Sequence, residues 1–378
     1  MRRTLPRRPA ILLSPEQKRI VWHLRTFGPT ARSELAQQLG IHNGALTRLS
    51  RELLALGVIE EAEQVHSGPR GRPTVPLAVS PGAGYAAGAT VHPGWLELVL
   101  VDFSGAVIVR ESEPFDSPDP RAFVEHLDRR LRALAAENNM MRSRFLGLGV
   151  GTPGQVMAED SARRWTVDWL AGWRVIDNQH YFEDALGIPA WVEETATAAG
   201  LAEYYDTGLI RTCATAMIIF VSHGVGGGVI SSRDILRGEF GNAGDIGRLF
   251  PNTAPRPSGL DLLGCLQRAG ADVHSLRDIG RQQDHYAGVI NAWIDRATDQ
   301  LGLAIHSGTA WLDPGAVVLS GALPQSILDP LGERLSGANW TKRPDWLPVP
   351  TFHVSRLGSW AGAIGAALIP IHKILSQE

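Results

Sequence analysis

Cysteine is nearly missing from this chain: Cys213 and Cys265 are the two thiols in 378 residues. Two cysteines cannot form a disulfide framework, and no C-x-x-C pair is present to hold zinc. The small disulfide-stapled secreted classes are therefore excluded. Long apolar runs are also missing. No stretch approaches the roughly 18 consecutive apolar residues of a membrane span, so no membrane partner is expected. The opening MRRTLPRRPAILLSPEQ is charged but has neither a long apolar core nor a small-residue cleavage site. Residues 1–13 read as a disordered basic arm and not as a signal peptide. A reduced, cytoplasmic location is the expectation. What remains is an ordinary globular composition, 44% hydrophobic and 20% charged.

The small net charge of −3 hides an asymmetry. Of the 36 basic and 39 acidic residues, 12 and 6 lie in residues 1–80, a balance of +6, which leaves −9 for residues 81–378. A basic head on an acidic body suggests that the head alone meets a polyanion.

The head has the punctuation of three helices. Ser14-Pro15-Glu16-Gln17 combines a serine cap, a proline suited to the first helical position and a glutamine that can close a capping box. The first helix carries Ile20, Val21 and Leu24 on one face and stops near Phe27-Gly28-Pro29. A second runs through Arg32–Leu39 and ends at Gly40. After a four-residue turn through Ile41-His42-Asn43, a third carries Leu46, Leu49, Leu53 and Leu56 at helical spacing and ends at Gly57. Val58–Glu61 and Val75–Val79 then read as two strands. Three helices and a β-hairpin over residues 14–80 make a winged helix-turn-helix, whose third helix reaches the major groove of duplex DNA. The candidate DNA contacts are Arg32 on the second helix and Asn43, Thr47, Arg48 and Arg51 on the third. Asn suits adenine and Arg suits guanine, whereas Arg51, further along the helix, is placed for phosphate.

Residues 68–73 read GPRGRP. Pro69 and Pro73 fix the chain extended and donate no hydrogen bond. Gly71 lets the backbone approach closely. Arg70 and Arg72 could run in opposite directions along a narrow, strongly negative A·T-rich minor groove. The segment resembles the core of an AT-hook, and an operator with A·T-rich segments is the expectation. The alternative is a solvated linker.

From Gly84 onward strands and helices alternate to the C-terminus, which implies an α/β body over residues 81–378. GVGTPG, LAGW, VEETATAAGLAE, HGVGGGVISSRDILRGEFGNAGDIG, VVLSGAL and GSWAGAIGAALI follow in that order, after the helix-turn-helix segment GPTARSELAQQLGIHNGALTRLSRELLALGVIEE. In order and spacing these pieces resemble the ROK family of repressors and sugar kinases. The resemblance implies a two-lobed, actin-like ATPase body of ribonuclease H-like lobes. For members with a winged helix it implies a transcription regulator, a homodimer or homotetramer that a sugar releases from operator DNA.

Where the resemblance implies a kinase base, the aspartate of an E-N-D-A-N run, this chain reads Glu193-Glu194-Thr195-Ala196-Thr197. Thr195 cannot take a proton. Glu194 is one residue off and, on a strand, would point the other way. The first phosphate loop, D-x-G-G-T in family kinases, reads Gly88-Ala89-Thr90-Val91-His92. The second, Gly224–Gly228, survives either as a phosphate cradle or as a turn the fold needs. No catalytic residue and no ATP are therefore expected. The family's zinc site of one histidine and three cysteines falls here on Arg248, Ser258, Leu260 and Cys265. One thiolate cannot replace four ligands, so no metal is expected. Leu260, Leu262 and Leu263 suggest that apolar packing replaces the ion, with Cys265 a core residue. The family's sugar contacts fall on Trp169, Glu194, Thr195, Asp245, Arg248 and Gln267. Four of these can hydrogen-bond a polyol, Trp169 could stack on a sugar ring, and Arg248 offers a fork for a carboxylate or phosphate. Two readings stay open: a site retuned to a sugar acid or sugar phosphate, or an Arg248–Asp245 pair with nothing bound. A DNA-binding regulator, more readily a repressor, leads. An active sugar kinase with a DNA-binding head and an effector-independent DNA-binding dimer are the alternatives.

Overall fold

The structure is a computed structural model, and it describes residues 11–63, 75–337 and 346–376. The chain divides into two compact units, residues 1–150, 169–192 and 366–378 in the first and 151–168 and 193–365 in the second.

The first unit begins with the head. Helices α1 (Pro15–Phe27), α2 (Arg32–Leu39) and α3 (Asn43–Ala55) precede the antiparallel strands β1 (Ile59–Glu61) and β2 (Leu77–Val79). The capping box forms: the Ser14 hydroxyl accepts from the Gln17 N–H at 3.3 Å, and the Ser14 N–H donates to Gln17 Oε1 at 2.9 Å. Ile20, Leu35, Leu46, Leu53, Val58 and Leu77 are fully buried and make the head's core. The turn into α3 is one residue shorter than the sequence suggests. Asn43 is already helical, because the His42 ring caps the helix by accepting the Gly44 N–H. The 68–73 ribbon and the basic arm up to residue 10 lie outside the described residues.

The rest of the first unit holds β3 (Tyr85–His92), β4 (Trp95–Asp102), β5 (Val107–Pro114), α4 (Pro120–Glu137) and β6 (Phe145–Thr152). In the second unit follow β7 (Gly154–Val156) and β8 (Arg164–Thr166). Then come α5 (Asn178–Leu186) and β9 (Ala190–Glu194), which runs into α6 (Thr195–Asp206). The chain continues through α7 (Leu209–Thr212), β10 (Ala216–Val221), β11 (Val225–Ser231), β12 (Asp234–Ile235), α8 (Gly259–Arg268), α9 (Leu276–Ile279) and α10 (Ala287–Leu312). It ends with β13 (Ala316–Gly321), α11 (Gln325–Ser336), β14 (Thr351–Val354) and α12 (Trp360–Leu375).

Two five-stranded sheets follow one plan. The first runs β5-β4-β3-β6-β9 and the second β12-β11-β10-β13-β14. In the second, β10 and β13 pair in parallel, as do β13 and β14, while β11 and β12 return antiparallel. This duplicated order, three meander strands followed by two crossover strands, is that of the ribonuclease H-like lobes of the actin-like ATPase fold. The first sheet packs on Phe123, Leu127, Trp173 and Phe182, the second on Leu262, Trp293, Leu301 and Leu328.

The glycine run of β11 has a packing cause. A Cβ on Gly226 would meet the Ala196 side chain at 3.0 Å, and one on Gly228 the Ala196 carbonyl at 3.0 Å and Gly200 Cα at 3.2 Å. Helix α6 thus lies backbone to backbone on β11, which the fold requires whatever the loop binds.

Candidate DNA-reading helix and effector site

Helix α3 offers its first half to solvent. Asn43, Arg48 and Arg51 are exposed and Thr47 is half-buried, while Leu46, Leu49 and Leu53 hold the opposite face in the core. Thr47 donates its hydroxyl to the Asn43 carbonyl at 2.9 Å, which turns its methyl outward as the group that can meet a thymine methyl. Arg48 pairs with Glu52 at 2.8 Å, and Glu52 also accepts from Gln17 at 2.9 Å. Arg48 therefore leaves one carboxylate for any base it reads. Arg32 is tied to Glu61 of β1 at 2.7 Å and braces the second helix against the wing.

In the second unit, β9 ends at Glu194, which caps α6. Its Oε2 accepts from the N–H groups of Ala196 at 2.6 Å and Thr197 at 3.0 Å. Strand alternation therefore does not aim this carboxylate: it folds over the N-terminus of α6, beside Thr195, the helix's first residue. Burial pushes the Glu194 carboxyl up to about 7, against the two N–H bonds and the nearby Arg164, which favour the charged form. The sign follows. A folded-state value above the ordinary 4.5 means that the protonated form's stabilisation is complete below about pH 4.5 and is lost as pH rises through 7. Wild type should therefore lose thermal stability relative to Glu194→Gln between pH 4.5 and 7, and the difference should level off above that. Parallel melting of both proteins across this range checks it, and a pH-independent difference would contradict it.

Next to this cap, Glu193 is held between two arginines, with Arg237 Nε at 3.0 Å and Arg164 Nη2 at 3.5 Å. Asp245 pairs with Arg248 at 2.7 Å and also accepts from Gln155 at 3.4 Å. The other two candidates lie apart. Gln267, at the exposed end of α8, donates to the Val273 carbonyl at 2.8 Å and makes no printed bond to the rest of the set. It closes the turn after α8, a structural use that its spacing did not reveal. Trp169 belongs to the first unit and is half-buried against that unit's core, where it packs as a core side chain.

The four zinc-equivalent positions have other occupations. Ser258 caps α8 by accepting the Asp261 N–H at 3.3 Å, and Arg248 serves Asp245. Leu262 and Leu263 are buried, but Leu260 is 55% exposed and does not join the core. Cys265 is only half-buried, within 3.2 Å of Arg268. The apolar substitution expected here is thus carried by Leu262 and Leu263. Leu260 starts the first turn of α8 on its outer face.

Sequence reasoning missed Trp165. In β8 it stands 57% exposed between buried Arg164 and Thr166, directly across from Gln155 of β7. Its signal was a large aromatic on the solvent parity of a short strand, legible only once the strand is known.

A duplicated ribonuclease H-like body behind a winged helix-turn-helix defines the class, and comparison with known proteins names the family. The ROK family model matches residues 95–373. The protein y4fQ of Sinorhizobium fredii is 32% identical over 363 residues, 96% of this chain and 92% of its own length. The chain belongs to the ROK family. The xylose repressor of Bacillus subtilis is 20% identical over 380 residues, 96% of each chain. The crystal structure of a ROK family transcriptional regulator, a homolog of the Escherichia coli MLC protein, superposes with a TM-score of 0.70 at 19% identity, covering 95% of this chain and 96% of its own. Sugar kinases of the family share the fold over 75–76% of this chain.

Proposed function

We propose that the chain is a sequence-specific DNA-binding transcriptional repressor of carbohydrate-related genes, whose sugar-kinase-like body is non-catalytic and takes a sugar or an anionic sugar derivative as effector. The observation that carries this is the solvent-facing half of α3, with Asn43, Arg48 and Arg51 exposed on a helix whose other face is core. A homodimer or homotetramer fits a symmetric operator. Repressor names among its relatives support the regulatory role. Mapping the DNA bound by the full-length protein across its genome tests the proposal, and enrichment beside genes of sugar uptake or breakdown is expected. Uniform occupancy would contradict it.

One observation favours the kinase alternative: a carboxyl titrating near pH 7 at Glu194 would suit a base. That carboxylate, however, is engaged by two backbone N–H groups, and Thr195 supplies only a hydroxyl. ATP-dependent phosphorylation of glucose, N-acetylglucosamine, xylose or mannose should stay at least about 10²-fold below the ~1–100 s⁻¹ of working kinases. Metal analysis should give well under one zinc per chain. Turnover in the kinase range, or stoichiometric zinc that survives dialysis, would overturn these expectations.

The 68–73 ribbon adds a second DNA contact to the proposal. Arg70→Ala and Arg72→Ala should each cost ~1–3 kcal/mol in operator affinity and lower the salt dependence by about one counterion. Placing G·C pairs beside the half-sites should penalise wild type far more than the double variant. Equal losses would make the ribbon a linker.

A further inference from the structure

The β7–β8 ribbon of the second unit carries an aromatic side chain that its fold does not consume. Gln155 and Trp165 are cross-strand partners, so their side chains leave the same face of the ribbon. On that face the Gln155 amide reaches Asp245, and Asp245 holds Arg248. Trp165 is 57% exposed, while its neighbours Arg164 and Thr166 turn inward to 8% and 1%.

The ribbon is stiff at both edges. A Cβ on Gly154 would meet the Trp165 carbonyl at 2.7 Å, so the two strands lie too close for any other residue there. Along the outer edge of β7, Asn242 acts as a strand substitute. Its Oδ1 accepts the Val156 N–H at 2.7 Å and its Nδ2 donates to the Val156 carbonyl at 3.0 Å. The loop that follows Asn242 carries Asp245 and Arg248. Indole, amide, carboxylate and guanidinium are thus fixed relative to one another before any ligand arrives, which lowers the ordering cost of binding.

We propose that Trp165, with Gln155, Asp245 and Arg248, forms a recognition face for a neutral sugar ring, the indole stacking on the ring and the three polar groups bonding its hydroxyls. The inference rests on the effector reading above and specifies its ligand class. A sugar hydroxyl both donates and accepts, and this face offers an acceptor at Asp245, donors at Arg248 and both at Gln155. The Asp245–Arg248 pair carries no net charge. A carboxylate or phosphate would have to displace Asp245 from the guanidinium, whereas a hydroxyl can bridge the pair. The flat apolar face of a pyranose matches an exposed indole, which buries area at little conformational cost.

The test uses full-length protein. Thermal shift and titration calorimetry are run with xylose, glucose and N-acetylglucosamine as neutral probes and with glucuronate, galacturonate and glucose 6-phosphate as anionic probes. A neutral sugar should stabilise wild type. Trp165→Ala should weaken that sugar at least about ten-fold, Trp165→Phe should restore most of the affinity, and the unliganded melting temperature of both variants should stay near wild type. If Trp165→Ala does not fold, Gln155→Ala and Trp165→Leu make the same comparison. Wild-type affinity in Trp165→Ala would remove this face and leave the effector reading standing. Binding by the anionic probes alone would overturn the ligand class. No response from any probe in wild type would take down the effector reading together with this proposal.

Discussion

Gly365→Ala is expected to destabilise the protein by roughly 3 kcal/mol, the upper end of overpacking penalties. Gly365 lies in α12, where a Cβ would overlap the carbonyl oxygen of Ala198 in α6. Both helices are buried there, since Ala198, Ala199, Ala363 and Ala366 are all fully inaccessible. The obstructing atoms are backbone, so no rotamer can yield. One of the two helices must move, and α6 is also fixed on the glycines of β11. Gly288→Ala, on α10, is the control. Nothing lies within 4 Å of its would-be Cβ, and a glycine inside a helix gives up ~0.5–1 kcal/mol relative to alanine. The two variants should therefore shift the melting temperature in opposite directions. A Gly365→Ala protein that melts with wild type would show that α12 does not cross α6 at this point.

The second large effect is on DNA. Arg48→Ala and Asn43→Ala should each cost about 1–3 kcal/mol on the preferred operator, about ten- to hundred-fold, and should relax base preference at one or two positions. Arg51→Ala should weaken all duplexes alike and reduce the salt slope by about one. The structure adds a refinement for Arg48. Its guanidinium must leave Glu52 to reach a base, and Gln17 holds that carboxylate in place. Glu52→Gln should therefore tighten binding several-fold without changing the preferred sequence. Binding titrations on a panel of single-base operator variants would show both effects. An Arg48→Ala protein with unchanged affinity and preference would mean that another element enters the groove.

Local signals carried the head. Ser14, Pro15 and Gln17 announced α1, and the leucine spacing of α3 placed its exposed face correctly, because caps and periodicity act within a few residues. The start of α3 was misplaced by one residue because a histidine ring did the capping, a role that Ser, Asn or Asp usually fill. The body's plan was legible from the order of its glycine-rich motifs. The effector site was less so. Glu194 read as a strand residue and is a helix cap, since strand and helix meet on that residue. Gln267 and Trp169 fit by spacing, yet one closes a turn and the other packs in a core. Trp165 escaped notice because its exposure depends on the β7–β8 pairing, a contact between segments that no local pattern announces.

One measurement bears most directly on the central claim. A duplex selected by the full-length protein from a random library is titrated against a scrambled duplex of equal composition, at fixed salt, with each variant of α3 alongside wild type. A preference of at least about 10³-fold for the selected duplex, lost in stages by Asn43→Ala and Arg48→Ala, is the expected result. Equal affinity for both duplexes, or a preference that survives both substitutions, would contradict a repressor that reads DNA through this helix.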